Sequence, residues 1–152
     1  MANEYTIIQD SRERKQFWKE DEWHITKKLD TGDYSIEGFQ DRFAIERKSC
    51  ADIVSTTTTG HERFKKELER SRTLDFFAIV IEGSYSTIKN KAYPGSHHSR
   101  VKGFVINKIL ATLIVKYGIH VFYASNRVEA KAITKELLNA YWRNKEFFLD
   151  SE

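Results

Sequence analysis

Six stretches of this chain carry apolar residues in the runs or alternations of β-strands, and five carry them at helical spacing. Tyr5 to Asp10 is predicted as a buried first strand, followed by a helix from Arg12 to about Trp23. Trp18 on that helix is expected in the core or an interface, because aromatics on amphipathic helices usually pack. His24 to Leu29, Asp33 to Ile36 and Phe43 to Lys48 follow as strands, and residues 49 to 56 as a short helix. A Thr-rich stretch, Ser55 to Gly60, is expected to be flexible. His61 to Ser71 is helical, with Phe64 and Leu68 at i, i+4 facing the core. Leu74 to Ile81 is a near-continuous apolar run, the pattern of a strand covered on both faces. Ser99 to Tyr117 is a helix ended by Gly118, and Ile119 to Tyr123 another buried strand. Asn126 caps a last helix running to about Arg143, and Asn144 to Glu152 is expected loose unless Phe147 and Phe148 dock. This order predicts an α/β fold: a mixed central sheet with helices on both faces.

Alternation decides what the fourth strand presents. In Arg42-Phe43-Ala44-Ile45-Glu46-Arg47-Lys48, Glu46 and Lys48 share one face while Phe43 and Ile45 point to the other. Gly38 lies in a turn-like stretch, so a hairpin brings Asp33 beside Glu46. Two carboxylates and an ammonium on one surface suit a hard cation. Mg²⁺ is typically held by one or two carboxylates, with water and substrate phosphates filling its shell. The ammonium can orient the attacking water or steady developing negative charge. The same Glu-Arg-Lys also serves as a solvated strand edge, and three residues are a loose pattern.

Composition narrows the setting. The 152 residues fit one domain able to bury its own core. No apolar run is long enough to cross a bilayer and no signal peptide is visible, so a cytoplasmic, non-secreted protein is expected. The single cysteine, Cys50, excludes an intramolecular disulfide and a multi-cysteine zinc site. Net charge is only +3, but its distribution is uneven. From Gly83 to Val128 there is no Asp or Glu, the footprint of a phosphate-backbone binder. Lys108 and Lys116 fit the solvated face of a helix. Lys89, Lys91, Arg100 and Lys102 cluster around the Tyr93-Pro94-Gly95-Ser96 turn and are the expected nucleic-acid contacts. No Gly-x-Gly-x-x-Gly or Walker-type loop occurs, which argues against a nucleotide cofactor.

Longer blocks carry a resemblance. Gly32-Asp33, then Glu46-Arg47-Lys48, then Asp52 is similar to the G-D-x(n)-E-R-K-x-x-x-D signature of the XPF-type (XPF/Hef) nuclease domain. Ile7 to Glu13 resembles the opening strand of that family, which ends in D-x-R-E. Ala78-Ile79-Val80-Ile81-Glu82-Gly83 resembles its central strand ending in I-E-G. The resemblance implies a restriction-endonuclease-like PD-(D/E)xK core, over residues 1–143 with 144–152 as tail. It implies a Mg²⁺-dependent endonuclease, with Mn²⁺ as a substitute, cutting branched, flap or double-stranded DNA in repair or recombination. Helix-hairpin-helix and helicase modules, common in the family, are not visible here. The family also pairs its nuclease domains, and the surplus apolar residues of the Ser99–Tyr117 helix fit either a homodimer contact or a helix buried on most sides. An inactive DNA-binding or scaffolding partner is the alternative, although such members typically lose the Glu-Arg-Lys residues.

By that resemblance Asp33 and Glu46 would be metal ligands and Lys48 would stand near the attacking water. Asp10 and Glu13 would add a supporting or second-metal carboxylate, and Asp52 would hold Lys48 or Arg47. Arg47 would form a structural ion pair or meet a phosphate at the edge, with Arg12 doing similar work. The family often has Gly-Arg where this chain has Gly60-His61, so its arginine contact would pass to Arg63.

Overall fold

A computed structural model describes residues 4–19 and 23–149. Its strands are β1 (Ile7–Asp10), β2 (His24–Lys27), β3 (Tyr34–Ile36), β4 (Phe43–Ser49), β5 (Phe76–Glu82) and β6 (His120–Ala124). They form one mixed sheet in the order β2-β1-β3-β4-β5-β6. β3 runs antiparallel to both of its neighbours, and the other three pairings are parallel. The helices are α1 (Cys50–Thr57), α2 (His61–Ser71), α3 (Tyr85–Lys89), α4 (Gly103–Tyr117) and α5 (Arg127–Leu149).

Both faces of the sheet are covered, which is why β4 and β5 are apolar on both sides. On one face Phe43, Ile45, Ala78 and Val80 pack with Ala130, Leu138 and Tyr141 of α5. On the other, Ala44, Ile79 and Ile81 pack with Ile53 of α1, Leu68 of α2, Ile88 of α3 and Leu110 of α4. Cys50 is buried in this second layer, its thiol donating to the Glu82 carbonyl at 3.6 Å and pushed up to about 11 by that burial. Gly118 closes α4 at φ +64, as its sequence position predicts.

Four local expectations need correction. Residues 12 to 19 are turns and bends rather than helix; 20–22, where the expected helix would end, lie outside the described residues. Side chains satisfy this backbone in place of a helical ladder. Gln9 accepts from the Trp18 N–H and donates to the Trp18 carbonyl, each at 3.0 Å. The Phe17 N–H donates to the Tyr34 hydroxyl, and Phe17 stacks on the Tyr34 ring. Ser55 to Thr57 of the Thr-rich stretch belong to α1 instead of a separating segment, and the Thr57 and Thr58 hydroxyls donate back to the Ile53 and Val54 carbonyls as the helix ends. α4 starts at Gly103 rather than Ser99, after α3 and a short 3-10 turn at Ser96–His98 that the apolar pattern did not reveal. Finally, α5 continues past Arg143 to Leu149, where Phe148 stacks on Tyr141 and its carbonyl accepts from Arg42. Asp150 to Glu152 of the expected tail lie outside the described residues.

Candidate active site

The site is built where the antiparallel β3–β4 pair meets the start of α1. Tyr34 pairs with Ile45, and one residue earlier the Asp33 N–H donates to the Ile45 carbonyl at 2.8 Å. Asp33 therefore sits beside β4, and its Oδ2 accepts the Arg47 N–H at 2.8 Å. Gly32 makes that approach possible. At φ +78, a Cβ there would stand 3.0 Å from Ala44 Cβ and 3.1 Å from the Ile45 carbonyl oxygen.

Around this corner lies a polar cleft of about 390 Å³. Asp10, Arg12, Glu13, Asp33, Glu46, Arg47, Lys48 and Asp52 all line it, so eight side chains singled out in the sequence are brought together. Asp30, Gly32, Glu67 and Arg70 line it too. Glu67 and Arg70 come from the polar side of α2, where nothing in the local sequence distinguishes them from solvent-facing residues.

Glu46 is the unsatisfied member. Its side chain is 12% exposed, Lys48 Nζ stands 3.8 Å from its Oε2, and that oxygen is buried without a hydrogen bond among the described residues. Burial pushes its carboxyl well above the usual range, and the Glu67 charge adds to this while Lys48 opposes it. Burial also pushes Asp33 up to about 7, helped by the Glu13 charge and opposed by the Arg47 N–H and the Lys48 charge. Lys48 lies over the Phe64 ring of α2 at 5.9 Å. The cleft thus gathers more carboxylate than its cations neutralise, and among the described residues one Glu46 oxygen is buried without a hydrogen bond. A divalent cation fits that deficit. Among the described residues no three His, Cys, Asp or Glu side chains are gathered to hold an ion unaided. The fit is that of two carboxylates, with water and phosphate oxygens supplying the rest.

The remaining residues hold the cleft in shape. Arg47 is 8% exposed, grips both oxygens of Glu13 at 3.0 and 3.1 Å and donates to Glu82 at 3.1 Å. Burial works against its charge, but these two carboxylates outweigh it and keep the guanidinium protonated. Of the two roles expected for Arg47, these contacts are those of the structural ion pair, while the residue also lines the cleft. Glu82 also accepts from Arg127 of α5 at 3.0 Å, while Arg127 donates to the Lys15 and Gln16 carbonyls. Arg127 thereby ties the 12–19 segment to the site, a role the sequence did not single out.

Asp10 has both oxygens engaged, by the Leu29 N–H at 2.8 Å and by Arg12. Asp52 does not hold Lys48 or Arg47. It caps α1, its carboxylate accepting the Ser49 N–H while the Ser49 hydroxyl accepts the Asp52 N–H. Arg63 is exposed on α2 and is not among the residues lining the cleft. Lys89, Arg100 and Lys102 are exposed, whereas Lys91 Nζ donates to the Ser99 carbonyl at 2.5 Å and braces its own loop. No helix among the described residues is long and apolar enough to cross a membrane.

Residues 8–137 match the family model of the ERCC4 domain. The fold is similar to XPF from Aeropyrum pernix, at 20% identity and a TM-score of 0.66 over 89% of this chain and 60% of that one. It is also similar to XPF from Aeropyrum pernix in complex with DNA, at 19% identity and a TM-score of 0.68 over 91% and 66%. The chain spans less than two thirds of either solved chain. The likeness identifies a restriction-endonuclease-like fold. No curated protein matches the sequence.

Proposed function

We propose that this chain, which belongs to the ERCC4 domain family, is a Mg²⁺-dependent endonuclease acting on branched or flap DNA. The observation that carries this reading is the Glu46 carboxylate, set in the cleft with Asp33 and Lys48, one of whose oxygens is buried and accepts no hydrogen bond among the described residues. Asp33 and Glu46 would hold the cation. When bound, it supplies Lewis-acid polarisation of the phosphoryl oxygen and a more acidic water. Lys48, held between Glu46 and the Phe64 ring, would orient the attacking water and offset negative charge on the phosphate. Arg47, Glu13 and Glu82 keep the end of β4 rigid, so the two carboxylates stay in register.

DNA as the substrate is supported by the acid-free segment from Gly83 to Val128 and by the neighbour solved as a DNA complex. A homodimer is part of the same reading. Most apolar residues of α4 pack inward, yet Phe104 stays 45% and Val115 83% exposed. Eleven positions apart, they lie about three turns from each other on one stripe.

The test is cleavage of labelled flap, fork, junction and linear DNAs, with Mg²⁺, with Mn²⁺ and in EDTA. Cutting of the branched DNAs in either metal, with none in EDTA, is expected. Tight binding without cleavage under every condition would instead identify an inactive DNA-binding partner of another nuclease.

A further inference from the structure

A second cavity, of about 430 Å³, opens beside α1. Val54, Ser55 and Thr58 of α1 and its C-terminal turn form one wall, and Tyr93, His98 and Arg100 from the segment between α3 and α4 form the other. We propose that this cavity receives one unpaired nucleotide of the DNA, its base against the Tyr93 and His98 rings and its phosphate at Arg100. The inference rests on the nuclease reading above and names a contact that reading does not contain.

Three observations converge on this occupant. The volume falls within the range of small-ligand sites, with apolar walls and a few polar groups. No Asp or Glu lines the cavity, and none occurs in the sequence from Gly83 to Val128, so the surrounding charge favours an anion. Tyr93 and His98 place aromatic rings in the lining, and stacking on an aromatic ring accepts any base because every base has a π-face. The wall is also built before any ligand arrives. The Lys91 ammonium holds the Ser99 carbonyl at 2.5 Å, and the His98 N–H donates to the Gly95 carbonyl at 3.0 Å.

The location gives the pocket a purpose. Ala51 lines this cavity while Asp52, the next residue, lines the catalytic cleft, so α1 contributes to both. A base already unpaired can enter beside the cut site, whereas a base in an intact duplex must first pay the cost of unstacking. The pocket is therefore a selector for branched over fully paired DNA.

The experiment is fluorescence anisotropy with the full chain in EDTA, which separates binding from cleavage. Three DNAs are compared: a flap with a thymidine arm, the same flap with an abasic arm, and a blunt duplex. The thymidine arm is expected to bind about ten-fold tighter than the abasic arm, which carries the same phosphates. Tyr93→Ala should erase that difference and leave blunt-duplex affinity unchanged. Ser55→Trp, which fills the cavity from α1, should do the same and covers the case in which Tyr93→Ala fails to fold. Equal binding of the thymidine and abasic arms by the wild-type chain overturns the pocket while leaving the nuclease reading intact. Absence of binding to all three DNAs overturns both.

Discussion

Asp33 and Glu46 carry two carboxylates into one desolvated cleft, and burial raises the proton affinity of both. For Asp33 the rise is from 3.8 to about 7. Between those values the folded chain keeps a proton that the unfolded chain has released, so this group's contribution to stability falls as pH rises. Asp33→Asn, which can still accept the Arg47 N–H, should therefore stabilise the metal-free protein at pH 8 by on the order of 2 kcal/mol. At pH 4 the gain should vanish, and the variant should lose the wild type's rise in Tm with Mg²⁺. Urea unfolding in EDTA at the two pH values checks the sign, and a variant less stable at pH 8 would contradict it. Arg47→Ala should cost about 3–5 kcal/mol, because it leaves Glu13 buried without its cation and Glu82 with Arg127 alone. A loss below about 1 kcal/mol in the same urea titration would show that the pairing is not needed. Strand parity alone separates Glu46 and Lys48 from Arg47, so that much of the site was legible in the sequence. The partners of Arg47 were not, since they arrive from 34 and 35 positions away.

At the scale of elements, long apolar runs translated directly. β4, β5 and α4 lie close to where periodicity puts them, because each buries a continuous face whose period belongs to the element itself. Segments whose backbone is satisfied by distant side chains did not translate. Residues 12–19 carry Phe17 and Trp18 at a spacing a helix can also use, but Gln9 and Tyr34 take their hydrogen bonds. The last turns of α5 belong to the same class. Phe148 stacks on Tyr141 and its carbonyl accepts from Arg42, a partner 106 positions away. Truncation after Arg143 should therefore lower Tm by several degrees, as loss of 1–2 kcal/mol does in a chain of this size. An unchanged melting curve by circular dichroism would show that these turns do not contribute to the fold.

At the scale of the whole molecule, the proposed function assigns cutting to the polar cleft, holding to the acid-free basic segment and pairing to the exposed Phe104 and Val115 of α4. Light scattering at micromolar concentration should give about twice the 17.9 kDa chain mass. Phe104→Lys combined with Val115→Lys should return it to one chain, and a wild-type mass of one chain would remove the stripe's role. The central claim is that Glu46 holds the cation that makes this fold a nuclease. It is tested most directly by Mg²⁺-dependent cleavage of a labelled flap DNA by wild type and Glu46→Gln side by side. The substitution keeps the side chain's shape and removes its charge. Wild type should cut the flap while Glu46→Gln binds it and leaves it whole. Cleavage by Glu46→Gln at the wild-type rate would contradict the account.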